Sequence, residues 1–190
     1  SDIVILDDNF SSIDKAILYG RTIFNSIRKF IIFQLTINIS AVLVSFIAPL
    51  MGMENPITIT QILWINLIMD TFAALAFGGE PALRRYMSEK PKSREEDIVS
   101  QSMKQAIAVN ALWIVALSLL ILLTAIGQSL FRFAPNYEYL LTGYFTFFVF
   151  IAVFNAFNSR TDSINIFDNI TKNQGFIQMI MLMLSIQIVM

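Results

Sequence analysis

Runs of apolar residues alternate with short polar connections along the whole chain. Four runs, at about 30–51, 59–77, 106–127 and 139–157, reach the ~20 residues that a helix needs to cross a bilayer. A fifth begins near Phe176 and continues to Met190. The polar connections carry an ordered charge pattern. All 13 Lys and Arg lie outside these runs, and all but Arg132 fall on alternate connections. Lys15, Arg21, Arg28 and Lys29 precede the first run. Arg84, Arg85, Lys90, Lys92, Arg94 and Lys104 follow the second, and Arg160 and Lys172 follow the fourth. Basic residues accumulate on the cytoplasmic side of membrane proteins, so these three segments are expected in the cytoplasm.

The residues before the first run have a different pattern. Ile3-Val4-Ile5-Leu6 is a short apolar stretch suited to a buried strand. Asp7 to Ser12 is turn and cap chemistry, with Ser11 or Ser12 expected to cap a helix starting near Ile13. Ala16, Ile17, Gly20, Ile23, Phe24 and Ile27 then form a helical stripe. This helix either continues directly into the first span or lies along the membrane surface. Gly78-Gly79-Glu80-Pro81 is expected to end the second helix, and Ser100 to cap the lead-in to the third. The stretch 94–97 reads as solvated charge.

Composition agrees with a membrane protein: 56% of the residues are hydrophobic and only 14% charged, where soluble domains are nearer a quarter charged. A net charge of −1 leaves no footprint for nucleic acid. Without cysteine the chain has no disulfides or thiolate metal ligands, and without histidine it has no imidazole base. The chain opens on Ser1 and closes inside an apolar run, so it is expected to be an internal piece of a larger protein.

Of the 14 acidic residues only Asp70 falls well inside a span. A carboxylate within the bilayer costs several kcal/mol unless it is solvated, paired or bound to a cation. The span that holds it has no basic partner, which favours a cation or proton site over a buried pair. A basic residue from a helix outside this chain and a protonated, hydrogen-bonded Asp70 are the alternatives. Asn66 lies four residues earlier and shares a helical face with Asp70. Asn38 sits mid-depth in the first span, with Gln34, Ala41 and Ser45 on one stripe. Amide and carboxylate oxygens suit a hard cation such as Ca²⁺. The competing role for Asn and Gln is interhelical hydrogen bonding. That role is the expectation for Gln34 and for Asn155. Tyr144, Phe145, Phe147, Phe148, Phe150, Phe154 and Phe157 are expected to pack or to face lipid, and Tyr137 and Tyr139 to form an interfacial belt. Ca²⁺ takes six to eight oxygens, more than Asp70, Asn66 and Asn38 provide.

Three stretches carry a family resemblance. Ser1 to Ile13 (SDIVILDDNFSSI), Gly20-Arg21, and Gln61 to Thr71 (QILWINLIMDT) resemble the type II P-type cation-transporting ATPases, and the resemblance covers essentially the whole chain. The plasma-membrane-type calcium pumps are the most similar group. The resemblance implies an all-α membrane protein, a bundle of about five transmembrane helices that are the fifth to ninth of ten. A short cytoplasmic strand-helix remnant of an α/β phosphorylation domain would precede it, over residues 1–29. Residues 30–190 would be the C-terminal transmembrane domain. Phe147 to Arg160 looks like the end of the eighth helix.

The resemblance also implies a ligand set. Pumps that bind two Ca²⁺ carry oxygen ligands where this chain has Ala41, Met69 and Ala152. The first site is therefore expected to be dismantled. Asn66 and Asp70 match the remaining site, whose other ligands come from a fourth helix not in this chain. Asn38 matches the lost site, which leaves its role doubtful. Mg²⁺ and ATP would bind elsewhere in the parent, where ATP phosphorylates an Asp in a DKTGT motif. This chain lacks that motif and is expected to be non-catalytic alone. Its expected partners are membrane lipid, the transported cation, and the earlier helices and cytoplasmic domains of the parent, in the plasma membrane. The alternatives are a pump for Mn²⁺, a proton or a monovalent ion, or a non-catalytic interaction module.

Overall fold

The structure is a computed structural model that describes residues 9–91, 97–130, 137–161, 165–167 and 169–189. The strand expected at 3–6 and most of the charged stretch 94–97 lie outside those residues. Every regular element among the described residues is helical.

Helix α1 (Phe10–Leu50) is one continuous helix of 41 residues, roughly 60 Å long at 1.5 Å per residue. Gly20 does not interrupt it. The cap is Asn9, not Ser11 or Ser12. Its backbone is extended, and its Oδ1 accepts the Ser11 backbone N–H at 2.9 Å. Asparagine caps as well as serine does, and no breaker follows it. At the far end Gly52 adopts φ +86°, a region open to glycine because it has no Cβ. The Gly52 N–H donates to Pro49 O at 3.0 Å and the Met53 N–H to Ala48 O at 3.2 Å. This Schellman turn satisfies carbonyls that the helix end leaves open.

The next helix starts six residues later with a capping box. Thr58 Oγ1 accepts the Gln61 N–H at 3.3 Å, and Gln61 Oε1 accepts the Thr58 N–H at 2.8 Å. The helix runs from Ile59 to Gly78 in two parts, α2 (Ile59–Trp64) and α3 (Asp70–Gly78), joined by a π-helical turn over Ile65–Met69. Helix α3 ends at the expected glycines. A 3₁₀ turn (Arg84–Ser88) follows.

Helix α4 (Gln101–Leu123) is capped by Ser100, whose Oγ accepts the Met103 N–H at 3.4 Å. The sequence pattern carries this helix to 127. In the structure it stops at Leu123, because Thr124 is extended, at φ −110° and ψ 160°. Helix α5 (Ala125–Leu130) resumes after it. Helices α6 (Tyr137–Arg160) and α7 (Gln174–Val189) complete the set. Among the described residues four helices are long and apolar enough to cross a membrane, and α7 is a shorter apolar one.

Helix α1 is the spine of the bundle and packs on α3, α4 and α6, while α7 lies against α3. Ala73 and Ala76 of α3 are fully buried. Small side chains let helix backbones approach closely, which matters where lipid tails remove the hydrophobic drive for helix association. Phe77 connects three helices, with its ring centroid 5.8 Å from Phe33 and 5.9 Å from Phe176. Phe176 in turn meets Phe157 of α6 edge-on at 5.1 Å. Val42, Phe46, Leu67, Leu112, Trp113 and Phe154 face outward.

Beside this aromatic cluster lies a buried ionic node. Glu80 is 9% exposed, and two cations on different helices reach it. Lys29 Nζ of α1 is 3.6 Å from Oε2, and Arg160 Nη1 of α6 is 3.4 Å from Oε1. Asn173 Nδ2 donates to the same Oε1 at 3.0 Å and to Ala76 O at 3.2 Å. Asn173 Oδ1 accepts the Phe176 N–H at 2.8 Å, which caps α7. Arg160 also stacks over the Phe176 ring at 5.5 Å. One carboxylate thus holds α1, α3, α6 and α7 together at the end of the bundle where the basic connections meet.

Two further arginines of α1 fasten that end. Arg21 Nη1 points at three carbonyls, Tyr86 O at 2.6 Å, Glu89 O at 2.8 Å and Met87 O at 3.1 Å. Arg28 Nη2 donates to Ser100 Oγ at 2.9 Å, so it holds the cap of α4.

Glu80→Ala should lower the stability of the full-length protein by roughly 3–5 kcal/mol, because it removes the carboxylate that two buried cations share. Lys29→Met should cost clearly less, since Arg160 remains paired. Detergent-unfolding midpoints test the order, and a Glu80→Ala midpoint equal to wild type would disprove the node. Arg21→Ala should speed amide exchange at 84–90 while leaving α4 and α6 protected. Unchanged exchange there would show that the guanidinium does not hold the segment.

Candidate functional site

The π turn is where the second long helix departs from regular geometry. The Asp70 N–H bonds back to Ile65 O, five residues earlier, instead of four. Such turns widen the helix locally and often occur at functional sites. Asn66 lies within the turn and Asp70 directly after it.

Asp70 is buried, at 6% exposure. Its Oδ2 accepts a hydrogen bond from Gln34 Nε2 of α1 at 3.1 Å. Its Oδ1 is buried and has no hydrogen-bond partner among the described residues. Asn38 lies one turn along α1 from Gln34 and is half-buried, while Asn66 is exposed. Asn38 and Asn66 meet across a hollow of about 390 Å³, lined also by Ala41, Val42, Ser45 and Ile62. Ser45 Oγ is buried there without a partner among the described residues.

The three predicted residues therefore fall into two adjoining groups. Asn38 and Asn66 share the hollow. Asp70 is outside its lining and is tied to Gln34. The expectation for Gln34 was interhelical bonding, and its partner is the one carboxylate of the spans. The sequence signal was its position four residues before Asn38, on one helical face.

The three positions at which the resemblance implies lost ligands are apolar in different ways. Ala41 borders the hollow, whereas Met69 and Ala152 sit in the core, both fully buried. Asn155 is buried, and its amide nitrogen has no partner among the described residues. No group of three or more Asp, Glu, His or Cys among the described residues could hold a metal ion. The donors present are one carboxylate, two carboxamides and a hydroxyl, all of them hard oxygen ligands.

The aromatic run of α6 divides as its helical period requires. Tyr144, Phe145 and Phe148 are buried, and Phe154 is exposed.

Comparison with known proteins places the chain. The family model described as "Cation transporting ATPase, C-terminus" matches residues 54–190. Calcium-transporting ATPase 10, plasma membrane-type, of Arabidopsis thaliana is 38% identical over 191 residues, covering all of this chain and 18% of its own length. Plasma membrane calcium-transporting ATPase 3 of Homo sapiens is 37% identical over 199 residues, covering all of this chain and 16% of its own length. The chain thus spans less than a fifth of the length of these relatives. It is a multi-pass integral membrane protein and belongs to the family of cation-transporting ATPase C-terminal domains.

Proposed function

We propose that this chain is the ion-pathway portion of an ATP-driven calcium pump that exports Ca²⁺ from the cytoplasm across the plasma membrane. The observation that carries the reading is Asp70: a buried carboxylate, directly after a π turn in an apolar helix, with one oxygen that has no hydrogen-bond partner among the described residues. The names of the relatives supply the ion and the membrane. Residues 1–29 then belong to the end of the phosphorylation domain and its stalk, and 30–190 to the transmembrane domain. ATP and Mg²⁺ bind in other parts of the parent.

In this reading Ca²⁺ is the cargo. Asp70 supplies charge, Asn66 supplies a carbonyl oxygen, and Asn38 borders the same space. A single carboxylate neutralises half the charge of a divalent ion, so a second acidic ligand comes from outside this chain. Helix α1 is the transmitter. It runs unbroken from Phe10 to Leu50, so a push near Phe10 reaches Gln34 and Asn38 without a hinge to absorb it.

The test is ATP hydrolysis by the full-length parent, titrated separately with Ca²⁺ and Mn²⁺. Asp70→Asn should weaken Ca²⁺ activation at least about tenfold, equivalent to roughly 1.4 kcal/mol. Activation by Mn²⁺ alone would keep the site and reassign the cargo. Unchanged Ca²⁺ dependence in Asp70→Asn would remove Asp70 from the ion pathway.

A further inference from the structure

We infer that Gln34 is a positioning residue for Asp70: it fixes the carboxylate by one oxygen and leaves the other free for the cation. The inference rests on the proposal that Asp70 is an ion ligand.

Three observations lead there. First, the two side chains come from different helices and are 36 positions apart, yet Gln34 Nε2 lies 3.1 Å from Asp70 Oδ2. Second, the carboxylate is used on one side only, because Oδ1 is buried and has no hydrogen-bond partner among the described residues. Buried polar atoms usually have partners. A carboxylate held through Oδ2 keeps Oδ1 available for a further partner, which the proposal above makes the cation. Third, Gln34 shares its face of α1 with Asn38, which lines the adjoining hollow. One stretch of α1 therefore both orients the charge and borders the space beside it.

The chemistry of the donor matters. A lysine or arginine at position 34 would neutralise Asp70 and repel a cation. A carboxamide orients the carboxylate and adds no charge. Holding it in one rotamer before the ion arrives reduces the ordering cost of binding. The bond also joins α1 to α3 at the depth of Asp70. A movement of α1 that stretches it releases the carboxylate, so transmission along α1 reaches the ligand directly. The length of the side chain is part of the fit. Asparagine would withdraw the amide by one carbon–carbon bond, about 1.5 Å.

The test uses the full-length pump, with Ca²⁺ as the probe. Gln34→Met keeps the length and removes the donor. It should raise the Ca²⁺ concentration for half-maximal phosphorylation from ATP about tenfold, as expected for a hydrogen bond to a charged group. The ATP concentration dependence and phosphorylation by inorganic phosphate without Ca²⁺ should not change. A side chain that only packs would alter yield or all three readouts together. In an Asp70→Asn background Gln34→Met should add no further loss. If Gln34→Met does not accumulate, Gln34→Asn carries the same expectation. Wild-type Ca²⁺ affinity in the accumulating variant, beside a defective Asp70→Asn, overturns the role of Gln34 and leaves the ion site standing. Additive losses in the double variant also overturn it. An Asp70→Asn pump with normal Ca²⁺ dependence overturns the ion site and this inference together.

Discussion

The buried carboxylate of Glu80 is the constraint on which the packing of the basic end depends. A lone charge in an apolar interior is costly, and a pair is tolerated when its remaining lone pairs and protons are satisfied. Glu80 meets that condition by drawing on separate parts of the chain: Lys29, Arg160 and Asn173. Glu80 is the member the other three share, so its loss removes one contact from each of them. Four helices are thereby held in one arrangement at that end. The aromatic contacts of Phe77, Phe157 and Phe176 continue the lock inward.

The candidate ion site is arranged differently. Around Asn38 and Asn66 the surface is concave, and the buried Ser45 hydroxyl there has no partner among the described residues. Near Asp70 a single hydrogen bond spans α1 and α3. The basic end is thus held by charges paired within the chain, while the region of Asn38 and Asn66 is a hollow. The open region also lies on the surface of this chain, where the additional ligands required by a divalent ion can approach.

Much of this was legible in the sequence, because the relevant signals are local. A run of ~20 apolar residues and a biased distribution of lysine and arginine need no tertiary knowledge. The cap at Ser100 and the stop at Gly78 are likewise short-range. The cap of α1 was misplaced by two or three residues because Asn9, Ser11 and Ser12 are all good caps, and only backbone geometry chooses among them. The stop at Thr124 had no glycine or proline to announce it. The ionic node was not legible at all. Glu80 read as part of a helix stop and Arg160 as a flanking charge, and they lie 80 positions apart. Asp70 was conspicuous as the one acid within a span. Its bond to Gln34 was not, since nothing in the pattern says which face of α1 meets α3.

The π turn at Ile65–Met69 has a mechanical consequence. It holds one more residue than an α turn, so the helix carries a stored rotation. Relaxing it to α geometry would swing one half against the other by about 100°, the angle one residue subtends in a helix of 3.6 residues per turn. The half that follows is moored through Glu80 to three other helices. The half that precedes it has a lighter attachment, the edge-on contact of Trp64 with Phe145 at 6.0 Å. A rotation at that turn would therefore move the short segment between Thr58 and Asn66 more readily than the half that carries Asp70.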